Sequence, residues 1–467
     1  MNFRPGFRIA LLFTLVACGP LTRAADLALN GTQLSRMASL PRNQALAVDA
    51  FPVGSTHTAS IRFKRVEIYS DDAHLYVVTA AGKREVPRSN RIFLRGYADD
   101  GSARVAMSLR SDGSFAAGNG SGPEGSFVLQ THLDASGAST LVAKALESTL
   151  PAGFKFDFRC GNENETMDVR SLDGLAKQLQ IANAGTAVTS AAASHALRLA
   201  TVAVDTDSLF MSKLFSNNTT SAGDWIASMF NTMNTMYERD LLVALRQGTT
   251  IYRTSSGSDP YTGATHVNAD AFDLDIFAHY WATNEAGVSR AFAILLSGQE
   301  ASTTNSCGAS GIAWVDQYCQ KGFTSGSDTV GSYSVNQVCT NINIDPDASF
   351  DARIVGHEIG HNFGAFHTHC TDVTTGAAKV STNTIDQCYN VESTCWSGAN
   401  SCPVSGPGAP AGTIMSYCNV ILGCGPDQQN VLQFHPTQIN NVLLPAITAS
   451  PSGCLNATDD IFYNGFD

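Results

Sequence analysis

A chain of 467 residues is too long for one ordinary domain, so two folded units plus trimmings are the starting expectation. A net charge of −12 argues against a nucleic-acid partner, because phosphate binding needs basic patches. Only 15% of residues are charged and Gly, Ser, Thr and Asn fill many polar positions, a composition that suits an extracellular chain. The charge is uneven: residues 1–193 are slightly basic and the remainder carries about −15, which makes the two halves electrostatically complementary.

Arg4 and Arg8 followed by the apolar run Ile9–Ala17 have the form of an export signal. That run is too short to cross a bilayer, which takes about 20 residues. Gly19-Pro20 breaks it and Thr22-Arg23-Ala24 offers a cleavage site, giving a signal at 1–24 and a secreted, extracellular chain. Leu15-Val16-Ala17-Cys18 also resembles a bacterial lipobox, so a lipid anchor at Cys18, and with it an outer-membrane lipoprotein, is the alternative. No other segment is apolar enough to span a membrane.

Residues 50–135 alternate short apolar runs such as Ile61-Arg62-Phe63 and Leu75-Tyr76-Val77-Val78 with Asp-Asp, Ala-Gly and Asp-Gly turns. This is the pattern of an antiparallel β-rich unit. Gly113 to Gly125, dense in Gly and Ser, reads as loops within it. Residues 182–194 have small side chains and no periodicity, and read as an exposed, protease-sensitive linker.

Beyond the linker, Leu197–Val204 reads as a strand ending at Asp205. Trp225, Ile226, Met229, Phe230, Met233, Met236 and Tyr237 follow helical spacing, with the methionines as core filler. A strand near Thr249–Tyr252, a helix near Ala271–Trp281, and strands at Ala291–Leu296 and Gly311–Val315 come next. A helix beginning near Ser349 follows, then a loop-rich, disulfide-rich segment with a helix after Pro436. The element order predicts an α+β fold with a mixed sheet. The expected division is 1–24 signal, 25–193 β-rich unit, 194–450 second domain and 451–467 tail.

Twelve cysteines become candidates for disulfides in an exported chain. Cys18 belongs to the signal and Cys160 stands far from the others. The remaining ten lie in the C-terminal half, an even number, so five bridges could use them all and leave Cys160 as a thiol.

Residues 357–367 read His-Glu-Ile-Gly-His-Asn-Phe-Gly-Ala-Phe-His. In a helix, His357 and His361 share one face a turn apart, so both can reach one ion. Gly364 tolerates the left-handed conformation that would turn the chain and bring His367 to the same ion. Three neutral imidazoles leave the fourth position of a tetrahedral Zn2+ open, the catalytic arrangement, and Glu358 beside the first ligand suits a general base. His369 fits no such spacing and reads as a surface residue. Asp205 is a weak candidate ligand for a structural Ca2+.

The spacing H-E-x-x-H-x-x-G-x-x-H is the metzincin signature, and the chain resembles the reprolysin (adamalysin-like) metzincins of bacterial secreted type with a propeptide. The resemblance also rests on Gly311-Ile312-Ala313-Trp314-Val315 with Cys319, and on Gly412-Thr413-Ile414-Met415-Ser416-Tyr417, which is similar to the Met-turn. It spans about residues 195–445. It implies a zincin catalytic domain of twisted mixed sheet with packed helices, a zinc helix and an irregular disulfide-rich C-terminal subdomain, preceded by a β-rich prodomain. His357, His361 and His367 would bind zinc, Glu358 would be the base, and Met415 would pack beneath the metal. Tyr417 would stabilise the transition state as in astacin-like relatives, or else only pack against Cys418 and the turn. Arg159-Cys160-Gly161 is similar to the cysteine-switch segment of secreted metzincin propeptides; a lone buried cysteine is the other reading.

Taken together these imply a secreted zinc endopeptidase, expected as a monomer, acting on protein or peptide substrates and held latent by its own propeptide. The alternatives are a catalytically silent surface-binding protein of the same fold and a zinc hydrolase of a non-peptide bond. An extended substrate would lie along the sheet's edge strand, with selectivity set by a side-chain pocket beside the metal.

Overall fold

The computed structural model describes residues 31–164 and 197–457, apart from 43, 134–138, 153, 157–158, 262–268, 300–305, 308–309, 342, 344, 346–347, 403–411, 419–431 and 452. The expected signal, the lipobox Cys18, the linker at 182–194, Cys424 and the end of the tail lie outside the described residues. Among the described residues no helix is long and apolar enough to cross a membrane.

The N-terminal half opens with helix α1 (Gly31–Ala38) and is otherwise built of strands. Strands β1 (Ala45–Pro52), β2 (Thr58–Val66), β5 (Ile92–Ala98), β6 (Arg104–Leu109), β7 (Phe115–Gly122), β8 (Gly125–Leu133) and β9 (Ser139–Ala145) form a seven-stranded antiparallel sheet in that spatial order. Alternating burial puts Ile61, Phe63, Leu94, Val105, Met107, Leu129 and Leu141 in one core.

β7 corrects the loop expected at Gly113–Gly125. Glycines there do not break the strand but let neighbouring strands come close: a Cβ on Gly120 would collide with the Arg104 carbonyl and the Phe127 ring.

The strands missing from that sheet, β3 (Leu75–Thr79) and β4 (Gly82–Val86), form a hairpin that joins a second sheet. That nine-stranded mixed sheet also contains β11 (Arg159–Cys160), β12 (Arg198–Thr206), β13 (Val243–Arg253), β14 (Phe292–Ser297), β16 (Ser310–Ala313), β19 (Tyr333–Gln337) and β20 (Leu455–Ala457). Its path runs β11-β16-β19-β14-β12-β13-β3-β4, with β20 antiparallel on β12. Its central strands are near-continuous apolar runs buried on both faces, as parallel strands covered by helices require. Short pairs β10 (Lys155–Phe156) with β15 (Ser306–Cys307), and β17 (Phe323–Ser325) with β18 (Asp328–Val330), complete the strands described.

Helices α2 (Ser208–Phe215) and α3 (Thr219–Leu241) follow β12, α4 (Ala271–Asn284) follows β13, and α5 (Asp351–Asn362) carries the signature. A helical segment at 436–448 packs near the C-terminus. α3 starts where the Asn218 side chain accepts from the Thr220 and Ser221 amides, and stops where Leu242 turns left-handed. Its apolar face, Ile226, Met229, Phe230, Met233 and Met236, joins the main core, as the helical spacing predicts.

The other face of α3 is polar and meets the N-terminal sheet. Asn231 Nδ2 donates to the Leu94 and Met107 carbonyls at 3.2 and 3.1 Å, and Arg95 pairs with Glu238 at 2.6 Å, both nearly fully buried. Arg91–Asp224 and Lys83–Glu285 add two more ion pairs between the basic and acidic halves.

Three features differ from expectation beyond the hairpin. β20 lies past residue 450, in the segment read as tail, and Cys454 within it is bridged to Cys319. Among the described C-terminal cysteines, Cys319–Cys454, Cys370–Cys395 and Cys388–Cys418 are bridges and Cys402 is disulfide-bonded, but Cys339 is a buried thiol outside any bridge. Parity therefore does not single out Cys160. Asp205, the weak calcium candidate, is fully buried and spends its oxygens on Arg253 Nη2 (2.7 Å) and Nε (2.9 Å), Tyr261 Oη (2.7 Å) and Trp281 Nε1 (3.0 Å). Cationic and hydroxyl donors already fill its acceptor positions, so it locks the sheet to α4 instead.

Candidate metal centre

Helix α5 begins because Asp345, upstream, accepts from the amides of Ser349, Phe350 and Asp351 at 2.6, 3.0 and 3.0 Å and fills the N-cap role. It ends at Phe363. Gly364 then takes a φ of +104°, its amide bonded to the His361 carbonyl at 2.8 Å, a conformation that an L side chain rarely adopts. The reversed chain delivers His367 back to the face that carries His357 and His361. Asn362 fixes the helix end to the sheet by donating to the Trp314 carbonyl at 2.7 Å. Tyr237 Oη of α3 donates to the Gly356 carbonyl at 2.6 Å and holds the helix middle.

The three imidazoles converge. His361 Nε2 lies 3.0 Å from His357 Nε2 and 3.2 Å from His367 Nε2. Each Nδ1 faces an oxygen: Ile414 O at 2.7 Å for His357, Ala365 O at 2.7 Å for His361, and Glu392 Oε2 at 2.6 Å for His367. Carbonyl and carboxylate oxygens only accept, so each Nδ1 carries the proton and each Nε2 presents a lone pair. Burial, with His367 beside it, pushes the His357 imidazole down to about 3, and burial with both neighbouring rings holds His361 well below its usual range. Three buried lone pairs pointing at one another repel unless a cation sits between them. This donor set therefore fits a zinc ion.

Glu358 is fully buried, and its Oε1 has no hydrogen-bond partner among the described residues. Burial raises its carboxyl well above the usual range, against a smaller lowering by the Cys160 thiol. Gly311 on β16 makes room for it, since a Cβ there would collide with the Glu358 carboxylate. The Ile414–Tyr417 turn closes the far side. Met415 is fully buried, its carbonyl accepts from Thr368 N at 3.0 Å, and its sulfur lies so close to Gly360 that any side chain there would meet it.

The reprolysin model of metallopeptidase family M12 matches residues 196–432, just over half of the chain. The chain belongs to that family. No curated protein matches it. Among solved structures 66 chains match. One, titled "Structure of a chaperone-substrate complex", is 13% identical with a TM-score of 0.22 over 38% of this chain, which spans 28% of that one, and it carries no argument. Family M12 implies a zinc cofactor, in keeping with the donor set.

In this M12 metallopeptidase the N-terminal half also reaches the metal-facing nitrogens. Cys160 Sγ lies 3.5 Å from His361 Nε2 and 3.8 Å from Glu358 Oε2, and the four possible ligand atoms of Cys160, His357, His361 and His367 fall within 4.8 Å of one another. The Cys160 amide donates to Tyr417 Oη at 3.0 Å, and that oxygen lies 3.3 Å from His367 Nε2. All seven residues singled out in the sequence thus meet in one buried cluster.

Three further residues escaped sequence reading. His369 is not on the surface: it is fully buried and its Nε2 lies 2.9 Å from Glu392 Oε2. Glu392 also takes Lys379 Nζ at 2.6 Å on its other oxygen. Burial alone would raise the Glu392 carboxyl, but the neighbouring imidazoles and the Lys379 ammonium hold it far below the usual carboxylate range. No local spacing marks Glu392 or Lys379; the Cys370–Cys395 bridge is what ties that loop covalently to the site.

Proposed function

We propose that this M12 metallopeptidase is a secreted zinc endopeptidase made as a latent precursor. The observation that carries the reading is the convergence of three lone-pair nitrogens beside a buried carboxylate with an unpartnered oxygen. His357, His361 and His367 would hold the ion. Zinc, when bound, supplies Lewis acidity, which acidifies water and polarises a peptide carbonyl.

Glu358 takes a proton from the attacking water and returns it to the departing amine. Its unpartnered Oε1 leaves a lone pair for that proton, and the raised affinity of the buried carboxyl suits it to hold the proton between the two steps. The substrate backbone hydrogen-bonds along β16, which excludes water and aligns the scissile bond. Tyr417 Oη donates to the oxygen that gains charge in the transition state. Met415 packs as the apolar floor beneath the three rings.

In the precursor, Cys160 occupies the approach to the metal and β11 lies where substrate would pair with β16. Cutting within the expected linker at 182–194 would release both. The test is to incubate the secreted full chain with casein, with and without chelator, while following its N-terminus. Chelator-sensitive peptide release, coincident with a new N-terminus near residues 182–200, is the expected result. Glu358→Gln should cut turnover by about a hundredfold or more while metal content holds. Casein left intact by the processed, metal-loaded chain would overturn the reading.

A further inference from the structure

The three histidines are not held in the same way. His357 and His361 ride on one helix, and their Nδ1 protons go to neutral backbone carbonyls, Ile414 O and Ala365 O. His367 lies beyond the helix, in extended backbone with φ −56° and ψ 145°. No repeating backbone hydrogen bond fixes its ring relative to the other two. Its Nδ1 goes instead to a full anion, Glu392 Oε2, at 2.6 Å.

Glu392 belongs to a different part of the chain and is brought there by other contacts. The Cys370–Cys395 bridge closes the loop that carries it, and the Trp396 amide donates to the His369 carbonyl at 3.0 Å. Lys379 Nζ at 2.6 Å supplies the countercharge that a buried carboxylate needs. The same Oε2 also takes His369 Nε2 at 2.9 Å, which commits that nitrogen to the carboxylate. His369 Nδ1 is buried with no hydrogen-bond partner among the described residues.

We propose that Glu392 is the positioning residue of the metal centre: it orients His367 as the third ligand and keeps His369, two residues on, out of the ligand set. The proposal rests on the reading that His357, His361 and His367 hold the metal. A charged acceptor on Nδ1 fixes the tautomer, aims the ring and raises the basicity of Nε2. Glu392 touches no reacting atom; it acts through the two imidazoles it holds, and sets the third ligand through His367. The loop closed by Cys370–Cys395 is therefore part of the metal site rather than a distant brace.

The test measures metal affinity of the full chain, by competition for Zn2+ with a chromophoric chelator, and the absorption spectrum of the Co2+-substituted protein. Glu392→Ala should weaken affinity about 10–100-fold, with Glu392→Gln intermediate because its amide oxygen still accepts from Nδ1. Both should shift the Co2+ spectrum, since the ligand set relaxes. The effect must pass through His367: in a His367→Ala background, Glu392→Gln should change affinity less than twofold. Folded Glu392→Gln and Glu392→Ala chains with parental affinity and spectrum would overturn the proposal, as would an equal loss in the His367→Ala background. If Glu392→Ala does not fold, the Glu392→Gln pair decides alone. A parent chain that binds no metal, or binds it equally well after His357→Ala, would instead overturn the metal reading itself.

Discussion

Along one edge of the central sheet, β3 runs parallel to β13 over four residue pairs, from Leu75 beside Thr250 to Val78 beside Arg253, with Leu75 and Val77 buried. Along the other, β11 runs parallel to β16 over two pairs only, Arg159 beside Ser310 and Cys160 beside Gly311. Both edges are capped by the N-terminal half, yet they are held by different physics. The first edge is apolar burial plus a ladder of hydrogen bonds, each contributing about 1 kcal/mol. The second has a ladder of two pairs, and beside a small apolar cluster with Leu146, Phe350 and Ile354 it is held by groups of the site: the Cys160 amide on Tyr417 and the Cys160 sulfur beside His361. One edge is built for stability, the other for a contact that chemistry can replace.

The largest expected effect tests the second edge. Cys160→Ser replaces a soft thiolate with a hydroxyl that binds zinc poorly. The uncut full chain should gain caseinolytic activity by two orders of magnitude or more, while its unfolding midpoint in urea moves little. A gel and N-terminal sequencing verify that the chain is uncut. A variant as silent as its parent would mean that the bulk of the N-terminal sheet, not the sulfur, maintains latency.

Next comes the first edge. Leu75→Ala empties a buried site and should cost about 2–5 kcal/mol in urea unfolding. It should not raise the activity of the uncut chain. If it does, the two edges are not separable and strain at β3 is transmitted across the sheet to β11.

The comparison also explains what the sequence could and could not reveal. The convergence of the three histidines was legible because its geometry is local: one helical turn sets His357 and His361, and one left-handed glycine sets His367. The strands of the central sheet were legible because burial on both faces demands continuous apolar runs, as in Ala291–Leu296. The partner of a strand is not local. Leu75–Val78 and Ile61-Arg62-Phe63 carry the same kind of pattern, yet they enter different sheets. Gly118 and Gly120 look like loop residues until the crowding of β6 and β8 is known. Glu392 is the clearest case, because its contact with His367 depends on a disulfide 25 residues in span. Cysteine parity failed for the same reason: an even count says nothing about which sulfurs meet.

A pH scan probes the middle of the sheet, between the two edges. Asp207, just past β12, accepts from the Phe210 amide at 2.6 Å and the Gly298 amide at 3.0 Å, but burial outweighs these bonds and pushes its carboxyl up to about 6 from an ordinary 3.8. The folded state therefore binds this proton more tightly than the unfolded one. Asp207 should favour folding most below pH 3.8, with that contribution lost as pH rises through about 6. Relative to Asp207→Asn, the parent's stability should fall across this window by no more than about 3 kcal/mol. Urea unfolding of both chains at pH 4 and pH 7 measures it. Latency should be the same in both, and a change in uncut activity would tie the sheet centre to the site edge.

The smallest effect distinguishes the two roles of Tyr417. Its hydroxyl accepts from the Cys160 amide in the uncut chain, so Tyr417→Phe removes one of the few bonds on the short edge. Loss of about 1 kcal/mol there should raise uncut activity about fivefold, far less than Cys160→Ser, because the sulfur is still present. Under the proposed function the same hydroxyl would face the reacting carbonyl in the cut enzyme, so Tyr417→Phe should lower kcat with zinc content unchanged. The two changes have opposite signs, and that opposition is the measurement: a purely packing role would leave kcat alone and alter only stability. A loss of activity in both forms would place Tyr417 on the catalytic side alone, and the short edge would then be held without it.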